Sequence, residues 1–287
     1  MTEEILIREP GKKPALHQSV LAGLSKCSMQ VYFRYVEGRK VPPGIALLVG
    51  TATHAAADMA LVNKAKKEDP LPVEALQEKA RDTLLAQVKG EGVVLDAEDG
   101  ESVEGGVDEA VGLVRCYHRE VLPVRTPASP AHVERRLRAV LEGFPFDLEG
   151  TIDLQEADGS LRDLKTSARE PAEDAAIGNV QLDAYALLSS VADGKMPTRL
   201  GLDTVVKAQK KRGPRFVPRH APPPASFEHV VLRLEAAAKV FETGSFYPVD
   251  PKGPSGWACS AKWCGYWQDV CPFGRRSRTT FPVGGGS

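Results

Sequence analysis

Glu149-Gly150-Thr151-Ile152-Asp153-Leu154, then Asp158-Gly159, then Arg162-Asp163-Leu164-Lys165-Thr166-Ser167 is the stretch on which the fold turns. Apolar and polar residues alternate on both sides of an Asp-Gly pair, the pattern of two strands joined by a tight hairpin. Side chains alternate across a strand, so Asp163 and Lys165 share a face. With the turn centred between Asp158 and Gly159, Asp153 falls opposite Leu164 to within about one residue. Two carboxylates and an ammonium group are thereby expected at one spot on a sheet. Carboxylates at close range repel and raise each other's pKa unless a cation lies between them. A hard divalent ion such as Mg²⁺ fits, being held by one or two carboxylates, water and phosphate oxygens.

Three further features lie around the hairpin. Glu134 stands on the preceding strand, within reach as a third carboxylate. Gln181 and Tyr185, spaced i, i+4 on the following helix, present polar tips together. His54 shares a helix stripe with Gly50, whose missing side chain admits a close neighbour.

Around this centre the period is helical from Ser19, a candidate N-cap, with further helices over 45–66, 72–89 and about 107–121. The stretch from Glu91 to Glu109 holds eight acids and no Lys or Arg, and reads as a solvated loop. Past the Pro-rich connection at 123–130 the period becomes extended. Strands are expected at 132–141, 146–156, 160–167, 199–209 and 215–219, with helices at 179–193 and 225–243. This divides one interleaved domain into a helical region (18–130), an α/β core (131–243) and a cysteine-bearing segment (244–275) that closes onto Cys27.

The 287 residues carry 37 Lys and Arg against 38 Asp and Glu, a net charge of −1, which excludes a globally basic binder but not local patches. Five cysteines are too few for a secreted disulfide scaffold. The acidic N-terminus lacks the charge of a secretory signal, and the apolar stretch 44–62, interrupted by His54 and Asp58, reads as a buried helix. An intracellular, cytoplasmic protein without a membrane span is therefore expected. Cys259, Cys264 and Cys271 crowd among Trp257, Trp263, Tyr266 and Trp267. A fourth ligand for zinc or an iron–sulfur cluster would come from elsewhere, better from Cys27 than from Cys116. Lys207, Lys210, Lys211, Arg212 and Arg215 form a basic run suited to a phosphate backbone.

Taken in order, these segments resemble the RecB-type branch of the PD-(D/E)xK nuclease superfamily, in particular its iron–sulfur exonucleases related to the CRISPR-adaptation nuclease Cas-four and to the AddB nuclease domain. Cys27 followed by Tyr32-Phe33-Arg34-Tyr35 is similar to the first cysteine segment, and Gly50-Thr51-Ala52-Thr53-His54 to the Gly-x-x-x-His helix. Gly150-Thr151-Ile152-Asp153 and Asp163-Leu164-Lys165 resemble the two metal-binding motifs, with Ile152 in place of the usual Pro. Gln181-Leu182-Asp183-Ala184-Tyr185 resembles Gln-x-x-x-Tyr, and the last three cysteines resemble cluster ligands at slightly long spacings. The resemblance implies a mixed sheet flanked by helices, the restriction-endonuclease-like core, with an N-terminal helical region and a C-terminal tail bound to iron–sulfur. It implies Mg²⁺ or Mn²⁺ held by His54, Asp153, Asp163 and the Leu164 carbonyl, with Glu134 as a further candidate, and Lys165 beside the attacking water. Gln181 and Tyr185 would support the site. A structural [4Fe–4S] cluster, alternatively Zn²⁺, is implied on Cys27, Cys259, Cys264 and Cys271. The implied activity is DNA exonuclease action on single-stranded or free ends in recombination or repair, in the cytoplasm of a bacterium or phage-infected cell, alongside a helicase or recombination partner. The rival expectation is a catalytically silent end-binding scaffold.

Overall fold

Residues that alternate form strands and those that recur every three or four positions form helices. In chain order these are β1 (Leu6–Ile7), β2 (Ala15–His17), α1 (Gln18–Val31), α2 (Ile45–Ala65), α3 (Val73–Glu91), α4 (Val103–Cys116), β3 (Val133–Ala139), β4 (Asp147–Gln155), β5 (Leu161–Ser167), α5 (Val180–Asp193), β6 (Leu200–Val206), β7 (Arg215–Ala221), α6 (Glu228–Thr243) and α7 (Pro272–Arg276). Single π turns, Tyr32–Val36 and Tyr117–Val121, follow α1 and α4. The computed structural model describes residues 6–7, 13–96, 98–209, 212–253, 256–260, 263–267 and 269–276. They fall into two compact units: Met1–Val41, Glu142–Phe146 and Val231–Ser287 make one, Pro42–Leu141 and Asp147–Val230 the other.

The second unit is built on a mixed sheet. β3 runs antiparallel to β4, β4 antiparallel to β5, β5 parallel to β6, and β6 antiparallel to β7. Parallel neighbours need a crossover, and α5 supplies it between β5 and β6 while lying against β3 and β4. All seven residues of β6 are buried, as expected of a strand covered on both faces. α2 packs on α3 and α4 through Leu48, Val49, Ala52 and Ala56 against Leu76, Ala80, Leu84, Ala110 and Leu113, and Leu164 and Val205 of the sheet join this core. A Cβ on Gly106 would stand 2.5 Å from Ile45 Cδ1, so only glycine allows α4 that close to α2. By length and composition alone α2 could cross a membrane, but here its apolar stripe is part of this core.

In the first unit, aromatic rings join α1, α6 and the segments beside them: Tyr32 on Phe246, Phe246 on Phe241, Phe241 on Phe146, and Phe33 on Tyr266, with centroids 5.3–6.4 Å apart. α1 is interrupted at Cys27, whose backbone is extended. Ser28, next to the break, donates its hydroxyl to the Tyr247 carbonyl and accepts from the Tyr247 amide, both at 2.8 Å.

Three local expectations change. α1 begins at Gln18 and is capped by His17, whose Nδ1 accepts from the Ser19 amide, so Ser19 is not the cap. The acidic stretch ends sooner than expected, because Ser102 caps α4 by accepting from the Gly105 amide. The β4–β5 turn has three loop residues rather than two: the Glu156 amide reaches the Ser160 carbonyl at 2.8 Å around Ala157-Asp158-Gly159. Gly159 takes φ +84°, the left-handed conformation that such a loop requires of its last residue.

Candidate metal centre

The three-residue turn moves the register by one. β4 and β5 pair at Leu154–Arg162 and Gln155–Leu161, and the next positions outward are Asp153 and Asp163. There the Leu164 amide donates to Asp153 Oδ2 at 2.7 Å, so a carboxylate takes the place of a strand carbonyl. α2 delivers His54 to the same point. A Cβ on Gly50 would lie only 3.3 Å from Thr166 Oγ1, and its absence lets the helix approach β5. The His54 ring lies beside β5, and its Nδ1 is 3.6 Å from Asp153 Oδ2. The Leu164 amide thus fixes Asp153 where His54 meets it.

Glu134 lies on β3 between the pairs Val133–Leu154 and Arg135–Ile152, which sets it opposite Asp153. Its φ is +50°. For a residue with a side chain this conformation costs about 1–2 kcal/mol, and it accompanies a carboxylate aimed at the neighbouring acid. His54, Glu134 and Asp153 each offer a ligand atom, all within 4.8 Å of one another.

Burial dominates the electrostatics. It pushes the Asp153 carboxyl well above the usual range, with the Asp163 charge adding to the effect. It raises Asp163 too, against the opposing pull of Lys165, and it raises Glu134, again with help from Asp163. Asp163 is 1% exposed, and neither of its oxygens has a hydrogen-bond partner. Lys165 Nζ lies 2.8 Å from Oδ2 as an ion pair outside hydrogen-bond geometry. His54 moves the other way, to about 4, through burial and the Lys165 charge, so its imidazole is neutral and keeps a lone pair for a ligand. Three acids facing one ammonium, two orphaned carboxylate oxygens and a neutral imidazole fit a divalent cation.

On α5, Asn179 caps the helix by accepting from the Gln181 and Leu182 amides. Gln181 Nε2 donates to the Tyr185 hydroxyl at 2.8 Å. That phenol is buried and pushed up, first by desolvation and then by the charges of Asp163 and Asp153, so it stands within their field. The candidate residues absent from the sequence reading begin with Asp58, one helical turn beyond His54. Burial and the Glu134 charge push it up to about 8. With Tyr117, Arg125, Asp153, Arg162 and Asp203 it lines a cavity of about 20 Å³, room for about one water. The available signal was the spacing, an acid at i+4 from His54 on an otherwise apolar helix.

Two members of the basic run have acidic partners within the protein. Lys207 Nζ pairs with Glu109 at 2.6 Å and Arg215 with Glu170 at 3.0 Å, so both charges are answered within the protein. The Arg212 backbone closes a tight bridge with Gln209, and Lys210 and Lys211 lie outside the described residues. Cys27, Cys259, Cys264 and Cys271 all belong to the first unit, and all five cysteines are free thiols. Burial raises the Cys259 thiol, followed by the charges of Cys27, Cys271 and Cys264. Among the described residues no three cysteine sulfurs lie within 4.8 Å of one another. A zinc tetrahedron with Zn–S near 2.3 Å requires sulfurs about 3.8 Å apart. The cysteines are neighbours but are not gathered into a ligand set, and this arrangement does not support the expected [4Fe–4S] cluster. Cys116 is buried in the second unit with its thiol pushed up to about 12.

A sequence profile of the PD-(D/E)XK nuclease superfamily matches residues 15–272. Curated protein sequences yield no match. Among solved structures, a protein from Eubacterium rectale named as a candidate exonuclease is similar in fold. Its TM-score is 0.54 at 11% identity, covering 93% of this chain and 89% of that one. A second, SSO0001, aligns with a TM-score of 0.33 at 15% identity, over 88% of this chain and 95% of that one.

Proposed function

Because the chain belongs to the PD-(D/E)XK nuclease superfamily, we propose that it is a Mg²⁺- or Mn²⁺-dependent deoxyribonuclease, an exonuclease that prefers single-stranded ends and acts in DNA recombination or repair. The observation that carries this reading is the convergence of His54, Glu134 and Asp153 within 4.8 Å, beside the ion pair of Asp163 and Lys165.

His54, Asp153, Asp163 and Glu134 would hold the ion, with the Leu164 carbonyl beside them. When bound it would polarise the scissile phosphate and lower the pKa of a coordinated water. The chain's own groups do the rest. Lys165, whose side chain is 43% exposed, orients the attacking water from the solvent side and offsets charge growing on the phosphate. Tyr185, held by Gln181, braces the acids from α5. The Leu164 amide keeps Asp153 in place between turnovers.

End-labelled single-stranded DNA should be degraded when Mg²⁺ or Mn²⁺ is added. Asp153→Ala and Lys165→Ala should each lower the rate by at least about 100-fold, the order expected for a lost ligand or charge-stabilising group. Full activity in both variants would refute the assignment. An iron–sulfur cluster on Cys27, Cys259, Cys264 and Cys271 remains part of the reading. Its support is the resemblance of the cysteine segments to the family's cluster ligands rather than the spacing of the thiols here, and absorbance near ~400 nm in anaerobically purified protein tests it.

A further inference from the structure

Of the cations of the second unit that the sequence offered for DNA, Lys207 and Arg215 are ion-paired, whereas Lys26 of the first unit has no carboxylate within 4.0 Å among the described residues. Its ammonium lies instead over the Trp257 ring, 5.2 Å from the centroid. Trp257 meets Trp263 edge to face at 5.9 Å, with ring planes 77° apart. Both indoles face solvent, Trp257 at 63% exposure and Trp263 at 55%. Two residues beyond Lys26, Ser28 holds the backbone of Tyr247, whose side chain is 66% exposed. The stretch of α1 around the break at Cys27 thus meets Trp257 through Lys26 and the Tyr247 backbone through Ser28, with Trp263 packed on Trp257.

Large aromatic rings are normally buried, because each hides 150–250 Å² of apolar surface in a core. A perpendicular indole pair held open to water beside an ammonium that has no carboxylate partner among the described residues is therefore unusual. It matches the chemistry of single-stranded nucleic acid: flat bases that stack on indole, and phosphates that draw an ammonium group. Every base has a π face, so such a surface grips a strand without reading its sequence. We propose that Trp257, Trp263 and Lys26 form a stacking platform for the bases of single-stranded DNA, with Tyr247 at its margin. The proposal rests on the nuclease reading for its choice of polymer.

The chain's three tryptophans, Trp257, Trp263 and Trp267, lie within eleven positions, so intrinsic fluorescence reports on this segment. The full-length protein, kept in EDTA to prevent cleavage, is titrated with oligo(dT) and with an abasic oligonucleotide of equal length. Oligo(dT) should quench the fluorescence and the abasic strand should not. Trp257→Leu and Trp263→Leu should each weaken oligo(dT) binding about ten-fold, as expected for the loss of one stacked base, while Trp257→Phe retains most of it. Lys26→Ala should reduce the slope of log affinity against log salt by about 0.7, the share of one phosphate contact on a single strand. Equal quenching by both strands, or leucine variants that bind like the parent, would overturn the platform. Binding confined to a protein partner, with no response to oligo(dT), would do so as well. Asp153→Ala assayed in parallel separates the two ideas: it should bind oligo(dT) normally without cutting it, and cleavage by that variant would count against the nuclease reading alone.

Discussion

Glu134 adopts φ +50° within a strand, opposite Asp153, and that conformation ties backbone strain to a carboxylate. Alanine and glycine at this position both delete the carboxylate, but glycine alone relaxes the backbone. Glycine in an ordinary strand is less stable than alanine. Here Glu134→Gly should exceed Glu134→Ala in unfolding free energy by about 1 kcal/mol, measured by urea denaturation in EDTA, and the reverse order would remove the strain from the argument. Asp58 supports a second test. An unfolded chain releases this proton near the ordinary 3.8, while the folded one retains it to about 8. Between those values folding takes up a proton, so stability falls as pH rises, by up to about 1.4 kcal/mol per pH unit. Asp58→Asn abolishes this contribution and should flatten the decline between pH 5 and 8, and parallel slopes in parent and variant would disprove it. Asp153, Asp163 and Lys165 were legible because strand alternation puts chemistry at fixed intervals. Asp58 was not, since an acid on an apolar helix acquires meaning only when Glu134, 76 positions later in the chain, is seen facing it.

α5 contributes Gln181 and Tyr185 at its start, and its other end is tied to two strands. Asp193 accepts from both terminal nitrogens of Arg135 on β3 at 2.7 and 2.9 Å, from Gln155 on β4 at 2.9 Å and from Ser189 at 3.1 Å. Chiefly through Arg135, the carboxyl is held far below its usual range. Asp193→Ala leaves a half-buried guanidinium without its acid and should cost about 2 kcal/mol, read from the denaturation midpoint at unchanged m-value. Asp193→Asn, which keeps acceptors for some of these donors, should lose less, and a neutral result for alanine would show that the knot does not hold the helix. The strands and helices between α1 and α6 lay within a few residues of their expected bounds because periods of two and 3.6 are hard to confuse over seven or more positions, whereas β1, β2 and α7, of two to five residues, are too short to show a period. What escaped was backbone-dependent. The left-handed Gly159 made a three-residue loop and shifted the strand register by one. The π turns at Tyr32–Val36 and Tyr117–Val121 leave the helical period of the sequence almost intact.

The molecule divides its chemistry between two units, with the acids in one and the four neighbouring cysteines in the other. This division was invisible in sequence, because the first unit is assembled from three separate pieces of chain, one of them only Glu142–Phe146. It sets a boundary on what a divalent cation can stabilise. Glu134, Asp153 and Asp163 are all raised by burial and mutual repulsion, so the second unit carries an electrostatic cost that a cation would relieve. At a hundred-fold excess over its dissociation constant, a cation that binds the folded form alone adds about 2.7 kcal/mol. Hydrogen exchange should register this as slower opening of β3, β4 and β5, where the acids are anchored, of α2, which carries His54, and of α5, which braces them. Amides of α1, including those flanking Cys27, should exchange at their metal-free rates at pH 7. Asp153→Ala should erase the protection in the second unit while leaving α1 as it was. Protection spread equally over both units in the parent would show that they unfold as one body. Its persistence in Asp153→Ala would place the cation away from the acids.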